Sequence, residues 1–155
     1  MPNATVLIVD DDENTRFGLG HSLRGRGYKL LFAEGGAAAL ELLKAEPVDV
    51  VISDQNMPGM TGLELLSLAR DRFPDTVRIM LTGETALETA VEAINHGEIY
   101  RFLQKPVDRA ELQIAVHLAC EKLELERQNR RLLALIRTSP ELTRRLEEEE
   151  ARRHA

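Results

Sequence analysis

The sequence predicts an α/β protein in which a parallel five-stranded sheet is doubly wound, with helices on both faces. Short apolar runs alternate with amphipathic stretches along the chain, which is the pattern of parallel strands joined by crossover helices. Two runs, at 6–9 and 50–52, are continuously apolar, as expected for central strands buried on both faces. The predicted strands are Thr5–Asp10, Tyr28–Ala33, Val48–Ser53, Thr76–Leu81 and Ile99–Leu103.

Helices are predicted between the strands, and proline and glycine mark several of their ends. Pro47 and Pro74 stop the second and third helices just ahead of a strand, and Gly97 occupies the position of a C-cap glycine. Asp108 and Glu111 form an acidic capping-box pattern at the start of the last helix. The five predicted helices cover about 13–26, 36–46, 61–72 and 84–96, and a longer stretch from 108.

The last predicted helix is too long for a sheet of this size. It can continue to Arg137, a length of about 45 Å at 1.5 Å per residue, before Ser139 and Pro140 interrupt it. We therefore predict a globular domain over residues 1–121 and an extended helical linker or coiled-coil tail over residues 122–155. The chain beyond the proline is expected to be a frayed, solvated end.

A leucine repeat runs through this last helix. Leu118, Leu125 and Leu132 recur every seven residues, and Asn129 lies four residues after the second of them. This spacing resembles a short parallel two-stranded coiled coil, in which a buried Asn fixes the register. We predict a homodimer through residues 118–136; the alternative is a charged linker helix whose leucines have no partner.

Composition limits the classes of function. Twenty-six acids and twenty bases give a net charge of −6, and residues 1–120 hold 18 acids and 11 bases, a balance of −7. So acidic a domain is unsuited to the phosphates of DNA or a membrane surface, and no direct nucleic-acid or membrane partner is expected. The start lacks a basic segment ahead of a long apolar run, and Cys120 is a single cysteine, which excludes a disulfide framework. We expect a cytoplasmic protein.

The residues that can carry chemistry stand where the predicted strands end. Because ligands of open parallel sheets bind at the carboxyl ends of the strands, these side chains are expected to converge on one edge. They are Asp10, Asp11, Asp12 and Glu13 after the first strand, Asp54 after the third, Thr82 and Gly83 after the fourth, and Gln104, Lys105 and Pro106 after the fifth. Asp12 and Glu13 are expected to begin the first helix, where acids favour the helix dipole, rather than to bind a metal.

Such a set suits a magnesium ion and a phosphoryl group. Clustered carboxylates repel one another unless a cation neutralises them, and oxygen ligands without His or Cys favour Mg²⁺. A carboxylate beside that ion can attack phosphorus and form an acyl phosphate. Lys105 and Thr82 can supply the positive charge and the hydrogen-bond donor that the moving phosphoryl group needs.

Four segments together resemble the receiver domain of two-component response regulators. The similarity extends over about residues 4–121, and it is specific because the motifs at several strand ends agree. It implies a flavodoxin-like fold with the strand order 2-1-3-4-5. The segments are VLIVDDDE at 6–13, DQNMPGMTG at 54–62, the triplet Leu81-Thr82-Gly83 and LQKP at 103–106.

This resemblance implies a signalling switch rather than an enzyme, phosphorylated on Asp54 by a sensor histidine kinase. Asp10 and Asp11 correspond to the acidic pair of the family, with Asp11 the direct Mg²⁺ ligand. Asp54 and the backbone carbonyl of Asn56 are the other implied metal ligands.

Further roles follow from the same resemblance. Thr82 corresponds to the switch hydroxyl and Lys105 to the lysine that binds the phosphoryl group. Phe102 takes the place of the switch aromatic; it can swing inward but cannot hydrogen-bond as tyrosine would. The peptide bond before Pro106 is expected to be cis.

Two alternatives remain open. Residues 93–103 resemble receivers that precede cyclic-di-GMP phosphodiesterase domains of the HD-GYP type, although Val107 stands where those often carry tryptophan. The chain is thus either a receiver acting alone or the receiver of a larger regulator with an enzymatic output domain. The other alternative is an aspartate-nucleophile magnesium phosphatase, which is disfavoured because Asn14 stands where that family has a small β-branched residue.

Overall fold

A computed structural model describes residues 3–83 and 86–154 of the chain. The chain divides into two compact units, Met1–Glu121 and Lys122–Ala155. The first unit contains the sheet and most of the helices, and the described part of the second is helical except at Ser139 and His154.

The sheet has the predicted parallel topology. Within the described residues it has five strands in the order β2-β1-β3-β4-β5, and each neighbouring pair is parallel. Every predicted strand is present, and its ends differ from the predicted ones by at most two residues. The strands are β1 Thr5–Val9, β2 Lys29–Ala33, β3 Val50–Asp54, β4 Val77–Thr82 and β5 Arg101–Gln104.

Along the chain the helices alternate with the strands, and two helices follow the last strand. The fourth was predicted from 84, but residues 84 and 85 lie outside the described ranges. The described helices are α1 Glu13–Leu23, α2 Gly36–Ala45, α3 Gly62–Arg72, α4 Leu87–Asn95, α5 Arg109–Thr138 and α6 Pro140–Arg153.

Two helical predictions were wrong in detail. The first helix ends at Leu23 rather than near 26, because Gly25 and Gly27 adopt left-handed backbone with φ of 79° and 84°. The expected frayed end beyond Pro140 is instead a helix, so the described residues form six helices rather than five. The Ser139 side chain caps this helix by accepting the N–H of Leu142 at 3.3 Å, with proline at the first helical position.

The sheet is buried on both faces. On one face Leu7, Val51 and Met80 form a core with residues of α2, α3 and α4. Alternate residues such as Ile8 and Ile52 are fully buried on the other face. The strands are thereby fixed in register, and their carboxyl ends are held at one edge.

The second unit exposes several leucines. Leu125 is 65% and Leu132 51% exposed, and Asn129 between them is exposed as well. Thr143 Oγ1 donates to the backbone carbonyls of Ser139 and Ile136, which ties the start of α6 to the end of α5. Among the described residues, no helix combines the length and the apolar character that a membrane crossing requires.

Candidate functional site

The strand register brings two carboxylates side by side at the carboxyl edge of the sheet. Val9 of β1 pairs with Ser53 of β3, so the residues that follow, Asp10 and Asp54, are neighbours. Asp54 in turn pairs with Leu81 of β4. The edge that the sequence predicted as the meeting point of the acids is therefore present.

Asp10 is fully buried and only partly satisfied. Its Oδ1 accepts the N–H of Asp12 at 2.9 Å, whereas Oδ2 has no hydrogen-bond partner among the described residues. Burial raises the pKa of the Asp10 carboxyl, and the negative charge of Asp54 acts in the same direction, against the hydrogen bond from Asp12. The charge of Lys105 also opposes the shift, but the pKa of Asp10 stays above its ordinary value, so a further cation near this carboxylate would favour its ionised form.

Lys105 supplies the positive charge at this edge. Its Nζ lies 2.9 Å from Asp54 Oδ1 and 3.7 Å from Asp10 Oδ2, and its side chain is 34% exposed. The Lys105 N–H also donates to the carbonyl of Thr82 at 2.8 Å. The peptide bond to Pro106 is cis, as expected.

Three carboxylates can reach a common point. Oxygen atoms of Asp10, Asp11 and Asp54 all lie within 4.8 Å of one another, with Asp11 exposed and the other two buried. A donor set made only of oxygen atoms fits Mg²⁺, which prefers one or two carboxylates and several waters. One of these atoms, the buried Oδ2 of Asp10, has no hydrogen-bond partner among the described residues.

The loop after Asp54 is closed at its base. The Gln55 carbonyl accepts the N–H of Gly62 at 3.0 Å, and the Gln55 side-chain Oε1 accepts the N–H of Leu63 at 2.8 Å. A Cβ on Gly62 would lie 2.3 Å from the Asp54 carbonyl oxygen, so only glycine permits this approach. Asn56 is exposed within the loop that these contacts fix.

Thr82 lies at the same edge but turns its hydroxyl elsewhere. It is the last residue of β4 and is fully buried. Its Oγ1 donates to the Gly83 carbonyl at 3.1 Å. The structure therefore brings Asp10, Asp54 and Lys105 into contact distance, whereas the Thr82 hydroxyl is bonded to Gly83.

The remaining acids at the start of α1 serve the helix, as predicted. The Asp12 side chain caps it by accepting the N–H of Asn14 at 3.0 Å and the hydroxyl of Thr15 at 3.0 Å. Glu13 lies in the first turn, where negative charge favours the helix dipole. Phe102 is half-buried against the core that contains Met80.

Sequence reasoning missed a cation beside the acids. Arg16 is half-buried, and its Nη1 donates to the backbone carbonyl of Asp10 at 2.8 Å. Its position one helical turn after Asp12 is a signal in the sequence, but many helices carry an arginine there without such a contact.

The family is shown by a match to the model of the response regulator receiver domain over residues 6–117. The chain therefore belongs to the response regulator receiver family. Receiver domains are signalling switches. The strand order β2-β1-β3-β4-β5 is the one that the resemblance to this family implied.

Curated relatives are longer regulators. The chain is 36% identical over 141 residues to the hydrogenase transcriptional regulatory protein HoxA of Cupriavidus necator, covering 91% of this chain and 29% of that protein. It is 37% identical over 145 residues to the transcriptional regulatory protein GlrR of Escherichia coli K12, covering 94% of this chain and 32% of that protein. The chain thus spans about a third of the length of these relatives.

A solved structure shares the fold. The signal receiver domain of an HD domain-containing protein from Pseudomonas fluorescens Pf-5 is 40% identical, with a TM-score of 0.76, covering 83% of this chain and 94% of that one.

Proposed function

We propose that this receiver accepts a phosphoryl group from a sensor histidine kinase on Asp54 and thereby switches a partner or dimer surface. The observation that carries the proposal is the position of Asp54, buried at the strand edge with Lys105 Nζ at 2.9 Å and two further carboxylates beside it. A carboxylate in this setting can act as a nucleophile toward phosphorus, with the lysine close enough to stabilise the transferred group.

The acidic edge would hold Mg²⁺ through the carboxylates of Asp10, Asp11 and Asp54 and the backbone carbonyl of Asn56. The bound ion neutralises negative charge that the acids and the phosphoryl oxygens would otherwise accumulate. Asp10 Oδ2 supports this assignment, because this buried oxygen has no hydrogen-bond partner among the described residues and lies 3.7 Å from Lys105 Nζ, which leaves it open to a closer cation.

The chain's own residues would carry the transfer in a defined way. An Asp54 carboxylate oxygen forms the new O–P bond while the N–P bond of the phosphohistidine breaks, and the imidazole nitrogen keeps that electron pair. The Lys105 ammonium group, already at hydrogen-bond distance from Asp54, donates to the phosphoryl oxygens and stabilises their negative charge. Later attack by water on phosphorus breaks the O–P bond to Asp54 and releases inorganic phosphate, which restores the carboxylate and ends the signal.

Two residues would convert this event into a conformational change. The Thr82 hydroxyl exchanges its Gly83 acceptor for a phosphoryl oxygen, which draws the end of β4 toward Asp54. Phe102, half-buried on the neighbouring strand β5, then packs further inward. The surface formed by α4 and β5 would be the output.

Phosphorylation with a small donor tests the acceptor. Intact-mass spectrometry after acetyl phosphate and Mg²⁺ should show one added phosphoryl group on the wild type and on Asp71→Asn, a control acid exposed on α3. Asp54→Asn should show none, and a chelator should abolish the addition on the wild type. An Asp54→Asn chain that still gains the group contradicts the proposal.

We infer that α5 mediates a homodimer through residues 118–136. Leu125 and Leu132 are more than half exposed and lie seven residues apart, with the exposed Asn129 at the alternating position. Apolar side chains repeated along one side of a helix can be buried against the same side of a second copy of that helix.

A matched pair of variants tests this dimer. Leu132→Glu should shift the chain to the monomer in sedimentation, because it places a charge in the leucine stripe. Ala134→Glu adds the same charge at an exposed position on the other side of the helix and should leave the mass unchanged. Equal masses for both variants and the wild type would remove the dimer proposal.

A second candidate is that the chain is the receiver of a larger regulator with an enzymatic output domain. The lengths of the curated relatives and the HD domain-containing protein among the solved structures support it. The reading frame around the coding sequence decides between the two. Cytoplasmic location and the absence of a direct nucleic-acid partner stay predictions.

A further inference from the structure

Arg16 of α1 reaches back to the strand end that carries the acids. Its backbone N–H makes the ordinary helical bond to the Asp12 carbonyl at 2.9 Å, while its guanidinium Nη1 donates to the Asp10 carbonyl at 2.8 Å. The guanidinium also lies 5.7 Å from the ring centre of Phe17, which limits its freedom. A charged donor is thus fixed on the peptide bond between the two adjacent acids.

That peptide bond controls where Asp11 points. Since the peptide unit is planar and trans, holding the Asp10 carbonyl also fixes the direction of the Asp11 N–H and the start of the Asp11 residue. On its other side, Asp10 Oδ1 accepts the Asp12 N–H at 2.9 Å. The backbone on both sides of the exposed Asp11 is therefore held by a hydrogen bond. Arg16 makes the one before it, and the Asp12 N–H makes the one after it.

We propose that Arg16 is a positioning residue for the metal site, holding the Asp10–Asp11 peptide so that both carboxylates face the same point. The inference rests on the proposed function, because it concerns the Mg²⁺ affinity of the same acidic edge. Arg16 has no direct part in phosphoryl transfer; it acts through the backbone of the acidic pair.

Charge and position predict opposite effects for the loss of Arg16. As a cation bonded to the Asp10 carbonyl, Arg16 repels Mg²⁺ at the acidic edge, and its removal would tighten binding if charge alone mattered. As an anchor of the peptide, its removal frees the loop and weakens binding. Loss of an interaction that orients a metal ligand commonly costs about tenfold in affinity.

The test uses the metal-free full chain and its titration with Mg²⁺. In Arg16→Met, we expect amide exchange at Asp12 to accelerate about tenfold and the Mg²⁺ dissociation constant to rise about tenfold. Arg16→Gln should give the same result, and it decides the matter if Arg16→Met fails to fold. Arg24→Met removes an equal charge from the exposed far end of α1 and should change neither quantity.

Each outcome has a single meaning. Unchanged amide exchange, or Mg²⁺ bound as tightly as or more tightly than by the wild type, overturns the role of Arg16. A wild-type chain that binds no Mg²⁺ overturns the proposed metal site itself, which is a separate result.

Discussion

The two edges of the sheet treat buried charge in opposite ways. At the amino edge, the Arg78 guanidinium of β4 donates to the carbonyls of Glu98, Thr76 and Gly97 at 2.8, 2.9 and 3.3 Å. At the carboxyl edge, the buried Asp10 keeps one oxygen without a hydrogen-bond partner among the described residues. The Arg78 guanidinium is hydrogen-bonded within the chain, whereas Asp10 Oδ2 lacks a hydrogen bond and has Lys105 Nζ 3.7 Å away.

The pKa shifts have the same cause at both edges. Burial lowers the pKa of the Arg78 guanidinium and raises the pKa of the Asp10 carboxyl, so each charged form is penalised by loss of water. At Arg78 three carbonyls compensate, and the result is a fixed connection between α4 and β5. At Asp10 the Asp12 N–H and the Lys105 ammonium offset the burial only in part, which is compatible with the binding of a further cation. The amino edge, with Arg78, therefore stabilises the fold, whereas the carboxyl edge, with Asp10, is suited to binding.

The largest effect on stability is expected at the amino edge. Arg78→Met leaves three carbonyls without their donor, and we expect the free energy of unfolding to fall by about 3 kcal/mol. Urea denaturation measures this change, with the exposed Arg72→Met as the control. A loss no greater than that of the control would mean that the hydrogen bonds of Arg78 add nothing, and the contrast between the edges would disappear.

A smaller effect of opposite sign is expected at the carboxyl edge. Asp10→Asn removes a buried charge but keeps an oxygen that can accept the Asp12 N–H, so the metal-free chain should gain about 1 kcal/mol of stability. The stabilisation of the wild type by added Mg²⁺ should be lost in the same variant.

Thermal unfolding with and without Mg²⁺ measures both parts of this prediction. Asp71→Asn serves as the control, because Asp71 is exposed on α3. An Asp10→Asn chain that is less stable than the metal-free wild type would show that the carboxylate is satisfied after all.

Much of the fold could be predicted because its signals are local. The apolar run at 6–9 and the acids directly after it identify both the strand and the edge of the site. Strand ends differed by at most two residues, since pairing between strands sets the last hydrogen bond. The end of β3 is an example: Asp54 is its last residue because it pairs with Leu81 of β4.

Other features depend on contacts that sequence spacing does not reveal. Ser139 and Pro140 were interpreted as a stop, yet the same pair begins α6, since proline that ends one helix is also favoured in the first turn of the next. Arg78 and Arg16 look like any other arginine in the sequence. Their roles come from carbonyls that the fold brings to them, about 20 residues away for Arg78.

Chemical trapping of the phosphorylated residue tests the central claim most directly. Borohydride reduces an acyl phosphate to an alcohol, so an aspartyl phosphate becomes homoserine, which peptide mapping locates. After acetyl phosphate and Mg²⁺, we predict homoserine at position 54. Homoserine at position 10 or 11 instead, or at none of the three, would contradict the assignment of Asp54 as the phosphoacceptor.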